Sequence, residues 1–390
     1  MKISVERDAL TDAVTWTART LPSRATVQVL NGLLLEVGQE SGGGLAISGF
    51  DFEVAAQAQV AVLVGEAGRV LVSGRLLAEI CRSLPNAPVE LVTDGSRLVV
   101  TCGTARFQLP TMPVEDYPTL PEVPPLAGRI PSVTFAAAVA QVAVAAGRDD
   151  TLPVLTGVRV EMSGGTLTLA ATDRYRLAVR ELAWAPEDPE GTAVALVRAR
   201  TLADAAKALA GSGGEVTVAL GTGAQGEGMA GFAAGDLVTT TRLLDGAFPQ
   251  YRSLLPTSVD AMAELPSATL VEAVKRVSLV SSSRNAPVRM SFSGGGEDGE
   301  VLLEAGAGED AQASERLPAT YDGEPLTIGF NPAYLLDGLA QLAGDRARLS
   351  FTTPTRPALL TSVAAGREGD REAGPEDGYR YLMMPMRLPG

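Results

Sequence analysis

Apolar residues at Leu77, Cys81 and Leu84 are spaced four and three apart, with polar residues between them. That spacing puts them on one face of an amphipathic helix in SGRLLAEICRSL, residues 73–84. The pattern returns at Leu202, Ala206 and Leu209 in RARTLADAAKAL and at Leu335, Leu339 and Leu342 in NPAYLLDGLAQL. The three segments overlay without gaps and also match Glu79, Asp204 and Asp337. From Leu77 to Leu202 is 125 residues and from Leu202 to Leu335 is 133, about one domain each.

The flanks recur in the same order. Each third opens on a helical stretch: VERDALTDAVTWTA, VTFAAAVAQVAVAA, then ATLVEAVKRVSLVS. Alternating β-rich pairs around Gly-rich turns follow: NGLLLEVGQESGGGLAISGFD, TGVRVEMSGGTLTLAATD and VRMSFSGGGEDGEVLLEA, each a predicted hairpin. After the shared helix come the predicted hairpins VELVTDGSRLVVTC, EVTVALGTGAQGEGMAGFAA and ARLSFTTPTRPALLTSVAA. Proline-bearing segments close the thirds: TMPVEDYPTLP, AFPQYRSLLP and YLMMPMRLP. The expectation is three α+β domains over 1–123, 129–255 and 256–390, with linkers at PEVPPLAGRIP and LLPTSVD.

Composition narrows the chemistry. The 390 residues are 46% hydrophobic and 20% charged, a globular balance, and no apolar run reaches membrane-spanning length. The N-terminus becomes charged at once, unlike a signal peptide, and Cys81 and Cys102 show no metal or redox spacing. A cytoplasmic protein is expected. With no histidine, the chain cannot build Ser-His-Asp or Cys-His catalysis or a histidine metal site. No P-loop or dinucleotide fingerprint occurs. The pairs Asp149–Asp150 and Glu297–Asp298 and the acidic stretch GREGDREAGPEDG (366–378) read as solvated loops. The expectation is a non-enzyme with no cofactor and no metal.

A net charge of -14 argues against a generic nucleic-acid coat, but a basic stripe can sit on an acidic body. Arg75 and Arg82 lie two turns apart on one helix face, and Arg200 and Lys207 occupy the matching places; the third copy has Ala333 and Ala340. Arg7, Arg24, Arg148, Lys275, Arg276 and Arg284 flank the opening helices. Solvation of an amphipathic helix explains such residues equally well singly; recurrence at matched places favours phosphate contact. With 5% aromatics and no base-reading motif, such contact is expected to ignore sequence.

Five segments, GRDDTLPVLTGV (147–158), ATDRYRLAV (171–179), DGAFPQYRSLLP (245–256), IGFNPAYLLDGL (328–339) and YLMMPMRL (381–388), fall in the order and spacing of one family. The chain resembles the bacterial sliding clamps, the beta subunit of DNA polymerase III, over its whole length. The resemblance implies a homodimer closed head to tail into a six-domain ring, helices inside and sheets outside. Such a ring holds duplex DNA topologically, without sequence preference, and serves the polymerase III alpha subunit, the clamp loader and other proteins carrying a clamp-binding motif. It implies no membrane partner. Arg24, Arg75, Arg82, Arg148, Arg198, Arg200 and Lys207 become candidates for the channel lining. Phe107 and Leu109, which share one strand face, would meet Val277, Leu279 and Val280 of a second copy.

The resemblance also implies a peptide groove. Its deep part would use Leu155, Thr172, Tyr175, Arg176, Leu177, Pro249, Leu254, Leu382 and Met384. A shallower part would use Asn331, Tyr334, Thr355, Pro357, Met386 and Arg387. Where the family often has glycine and histidine, this chain has Arg174 and Tyr175, so the rim should differ in size and polarity. A scaffold of the same fold that never surrounds DNA, a specialised paralogue, is the alternative.

Overall fold

The structure is a computed structural model, and it describes every residue except 23, 39–42, 212, 222–227, 281–285, 297, 307–310, 364–368, 370–376 and 389–390. Arg284, Glu297 and most of the acidic stretch 366–378 therefore lie outside the described residues.

Among the described residues six α-helices carry the repeat: α1 (Arg7–Thr17), α2 (Gly74–Ser83), α3 (Ser132–Ala143), α4 (Ala199–Ala210), α5 (Ser267–Val277) and α6 (Pro332–Leu339). Among the described residues each third of the chain runs strand, helix, five strands, helix, three strands. The periodic apolar positions are the buried ones: Leu77, Cys81, Leu202, Ala206, Leu209, Leu335 and Leu339 all lie in the interior. Burial pushes the Cys81 thiol up to about 12, and neither cysteine is bonded to the other. In the third copy α6 stops at Leu339, so Leu342 lies beyond the helix and is half-buried.

The strands of each third sort into a group of five and a group of four. In the first third the five run Ala105–Met112, Arg97–Cys102, Val89–Asp94, Lys2–Val5, Leu63–Glu66; the four run Gly68–Ser73, Gly32–Val37, Leu45–Phe50, Val54–Val60. The other thirds repeat this order. Packing gathers the residues into two compact units, Met1–Ala136 with Ala185–Asp188 and Asp204–Leu243, and Ala137–Trp184 with Pro189–Ala203 and Leu244–Gly390.

The first unit holds a 14-stranded sheet, continuous because Val54–Val60 pairs antiparallel with Leu237–Arg242. The second holds a nine-stranded sheet, continuous because Arg176–Ala183 pairs with Tyr379–Met383, and a separate four-stranded sheet. Both joints follow one rule: the outer strand of a group of four meets the last strand of the following third. The rule explains why compactness cuts the middle third in two, since its two strand groups belong to different sheets.

Two boundaries differ from the sequence reading. LAGRIP is not linker: Leu126–Pro131 forms a strand against Glu215–Gly221, its Gly and Pro hiding the alternation. AFPQYRSLLP is not the counterpart of the closing strand Tyr379–Met383; that place belongs to Leu237–Arg242, and Tyr251–Leu254 is a single 3-10 turn.

Candidate peptide-binding groove

The groove is built in the second unit around a tight turn. The Asp173 carboxylate accepts the backbone N–H groups of Tyr175 and Arg176, both at 3.0 Å. The Thr172 hydroxyl accepts the Arg174 N–H at 3.1 Å and donates to the Arg176 carbonyl at 2.6 Å. These bonds hold Arg174 in the left-handed region at φ 78°, a conformation that disfavours side chains with a Cβ.

Beyond the turn the Arg176 side chain runs inward and is only 5% exposed. Its guanidinium donates to Asp173 at 3.1 Å, to Asp337 on α6 at 2.5 Å and to the Tyr381 hydroxyl at 3.3 Å. It also lies 4.4 Å from the Tyr334 ring centroid. Burial opposes its charge, yet Tyr381, Asp337 and Asp173 together hold its pKa above the ordinary value. Asn331 caps α6, its side-chain oxygen accepting from the amides of Ala333 at 2.9 Å and Tyr334 at 3.4 Å. Gly338 lets α6 approach the closing strand, since a Cβ there would stand 2.5 Å from the Tyr381 ring.

Leu177 pairs with Leu382 across the joint, and the Met384 amide donates to the Tyr175 carbonyl at 2.8 Å, carrying the ladder one residue further. Below lies an apolar floor including Ala170, Phe248 and Tyr251. Two cavities open above it. One of about 190 Å³ is lined by Thr172, Arg174, Arg176, Leu177, Pro249, Leu254, Leu382 and Met384. Its rim keeps Leu254 and Met384 nearly half exposed, at 48% and 43%. The other, about 540 Å³, is walled by Arg148, Leu152, Leu155 and Asp173 on one side and Tyr334 and Asp337 on another, with Tyr175 stacked on Tyr334 at 6.4 Å between centroids. Arg174 and Arg176 border both cavities.

Thus Thr172, Arg176, Leu177, Pro249, Leu254, Leu382 and Met384 come together around the smaller cavity, and Leu155, Tyr175 and Tyr334 around the larger. Five expected groove residues line neither: Asn331 is the helix cap, Thr355 stands exposed in a turn, Pro357 and Met386 are half-buried, and Arg387 is exposed. The sequence reading gave Asp173 and Asp337 no place in the groove, and it named Arg174 only as a departure at the rim. Asp337 had shown itself as a repeat position.

Of the basic residues, Arg24, Arg75, Arg82, Arg148, Arg200 and Lys207 are exposed, and Arg198 is half-exposed 3.7 Å from Asp150. Arg148 lines the larger cavity. Phe107 and Leu109 do share a strand face, but it is the face turned onto the core. Leu109 is 1% exposed and Val277 2%, so neither offers side-chain surface to a second copy. Phe107 and Val280 are half-buried, and Leu279 is 83% exposed. Among the described residues no group of three or more acidic or cysteine side chains could hold a metal ion. Among the described residues no helix is long and apolar enough to cross a membrane.

Comparison with known proteins places this geometry. Residues 1–121, 129–250 and 252–368 match the N-terminal, central and C-terminal domains of the DNA polymerase III beta subunit. The chain is 54% identical to the beta sliding clamp of Streptomyces coelicolor over the full length of both, and 41% identical to the beta sliding clamp homolog GriR of Streptomyces muensis, again over both full lengths. Its fold superposes on the Pseudomonas aeruginosa DnaN sliding clamp, solved bound to griselimycin, with a TM-score of 0.89 at 29% identity, covering both chains completely. The chain belongs to the DNA polymerase III beta subunit family, the beta sliding clamps.

Proposed function

We propose that two copies of this chain close head to tail into a ring that encircles duplex DNA and tethers the replicative polymerase. The observation that carries the reading is the joint rule. The outer strand of the first group of four pairs with the last strand of the second third, and the second group of four repeats this with the last third. The third group of four ends in Ala313–Pro318, at the edge of its sheet. The last strand of the first third, Ala105–Met112, pairs along one edge with Arg97–Cys102, and on the other meets a strand only through Thr111 and Met112. One edge of each kind is left over, which is what a second copy would satisfy.

The repeat also gives the register of that joint. Hairpin pairing aligns Ala183 with Pro318, hence Ala178 with Ala313. Tyr381 and Phe107 correspond because each faces the same place on its neighbour, Leu360 and Val100. Ala178 faces Tyr381, so Ala313 would face Phe107 of the partner subunit, and Ser314 would face Arg106 of the partner subunit. Phe107 thereby keeps an interface role, with Leu279 and Val280 as exposed and half-exposed candidates beside it. The three domains would run as expected from the sequence, 1–123, 129–255 and 256–390, except that the second would open earlier, on the strand Leu126–Pro131.

Arg24, Arg75, Arg82, Arg198, Arg200 and Lys207 would face the phosphates, with no sequence information to stall sliding. The ring acts as a processivity factor rather than a catalyst. The groove on the second unit would take an extended segment of the polymerase alpha subunit, the clamp loader and other partners. Its exposed Met384 would adapt to different side chains. All of this is expected in the cytoplasm. After loading, the protein should remain on nicked circular DNA and leave once the DNA is linearised; equal retention on both would refute encirclement. Charge reversal at Arg75, Arg82, Arg200 and Lys207 should abolish DNA-dependent polymerase stimulation, whereas unchanged stimulation would favour a scaffold that never surrounds DNA.

A further inference from the structure

Three cations and three anions line the larger cavity, but they are not equivalent. Arg176 is buried and bonded to both Asp173 and Asp337. Asp173 spends its other oxygen on two backbone amides. One oxygen of Asp149 accepts from the Thr151 amide at 3.0 Å and hydroxyl at 2.7 Å. Among the described residues the guanidiniums of Arg148 and Arg174 form no hydrogen bond or ion pair, both residues are exposed, and Arg174 is left with a longer-range attraction to Asp149. Of these two, only Arg174 also borders the smaller apolar cavity. Its backbone is fixed by the Asp173 and Thr172 bonds on either side, so the side chain projects from a rigid base.

We propose that Arg174 selects, among segments entering the groove, those with a carboxylate side chain within one or two residues of the apolar anchor. The inference rests on the groove reading above. An extended segment advances about 3.3 Å per residue. One with its anchor between Leu177 and Met384 and its continuation toward Tyr175 and Tyr334 must therefore cross Arg174 within a residue or two. A carboxylate there meets a preorganised guanidinium whose pairing costs no existing bond. A lysine in the same place meets two unpaired cations, and a glutamine gains only a neutral hydrogen bond. The same place in the sister turn of the first unit holds Phe52, at φ 72°, so the backbone leaves the chemistry of this position open.

The test uses the full chain and three labelled decapeptides, identical except for Glu, Gln or Lys beside a leucine chosen to fill the apolar cavity, titrated by fluorescence anisotropy. Wild type should bind the Glu peptide about fivefold more tightly than the Gln peptide, with Lys weakest, and the gap should shrink in high salt. Arg174→Gly, which suits the left-handed backbone, should bring the Glu-to-Gln ratio close to one. An unchanged ratio in Arg174→Gly overturns the selectivity while leaving the groove intact. Met384→Asp, a substitution at an exposed rim position, reads the groove separately: if it weakens none of the three peptides, the groove assignment itself fails.

Discussion

The two internal joints share a backbone plan but differ in the side chains that fill it. Val54–Val60 with Leu237–Arg242 is closed by small residues: Ala55, Ala56, Ala58, Thr239, Thr240 and Thr241 are all buried. Arg176–Ala183 with Tyr379–Met383 uses Leu177, Arg180, Tyr379, Tyr381 and Leu382, and two cavities open at its end. Their turns share the aspartate bonds, though Phe50 stands where the second turn has the Thr172 hydroxyl. Asp51 accepts the amides of Glu53 and Val54 at 2.9 and 2.6 Å, as Asp173 does for Tyr175 and Arg176, and Phe52 and Arg174 are the only non-glycine residues with positive φ among those described. The difference lies after the turn, where Val54 stands in one joint and Arg176 in the other. A joint made of alanine and threonine is a plain sheet continuation. A joint with a buried arginine needs Asp337, Tyr381 and Tyr334 gathered around it, and that gathering leaves a lined concavity.

Breaking the arginine joint should have the largest effect. Arg176→Met strands Asp173 beside an unpaired Asp337, and chemical denaturation should show a loss of about 3 kcal/mol, at the low end for a buried pair because Asp337 is partly solvated. Ala56→Leu in the tight joint should come next, at about 1–3 kcal/mol, because its 2% exposure leaves no room for three added carbons. By contrast Met384→Leu, at the open rim of the other joint, should cost under about 1 kcal/mol. A cost at Met384 equal to that at Ala56 would mean the two joints are packed alike. A further small effect sharpens the comparison of turns: Arg174→Gly should be more stable than Arg174→Ala by about 1 kcal/mol, since only glycine tolerates the left-handed backbone freely.

The helices and hairpins were legible because burial on one face writes a period into the sequence. Leu77, Leu202 and Leu335 mark equivalent interior places that no loop constraint disturbs. The strand Leu126–Pro131 was not legible, because Gly128 and Pro131 interrupt an alternation that hydrogen bonding to Glu215–Gly221 nevertheless enforces. Around the smaller cavity, seven residues followed from the family resemblance, and periodicity would not have found them. Arg174 was legible only as a change at the rim, and Asp173 not at all, because their roles depend on a left-handed turn. Asp337 escaped because its partner Arg176 is 161 residues away in the chain. Leu109 and Val277 show the reverse error, where a strand or helix pattern says which residues share a face but not whether that face is inside.

The central claim is the third joint between copies, and its register can be tested directly. Arg106→Cys combined with Ser314→Cys puts one thiol on each leftover edge, while Cys81 and Cys102 stay buried. A short thiol–thiol cross-linker should convert this variant into a covalently closed dimer that survives denaturant on circular DNA, and neither single variant should close. Cross-linking that yields only open chains, monomers, or equal products from the single variants would contradict the head-to-tail ring.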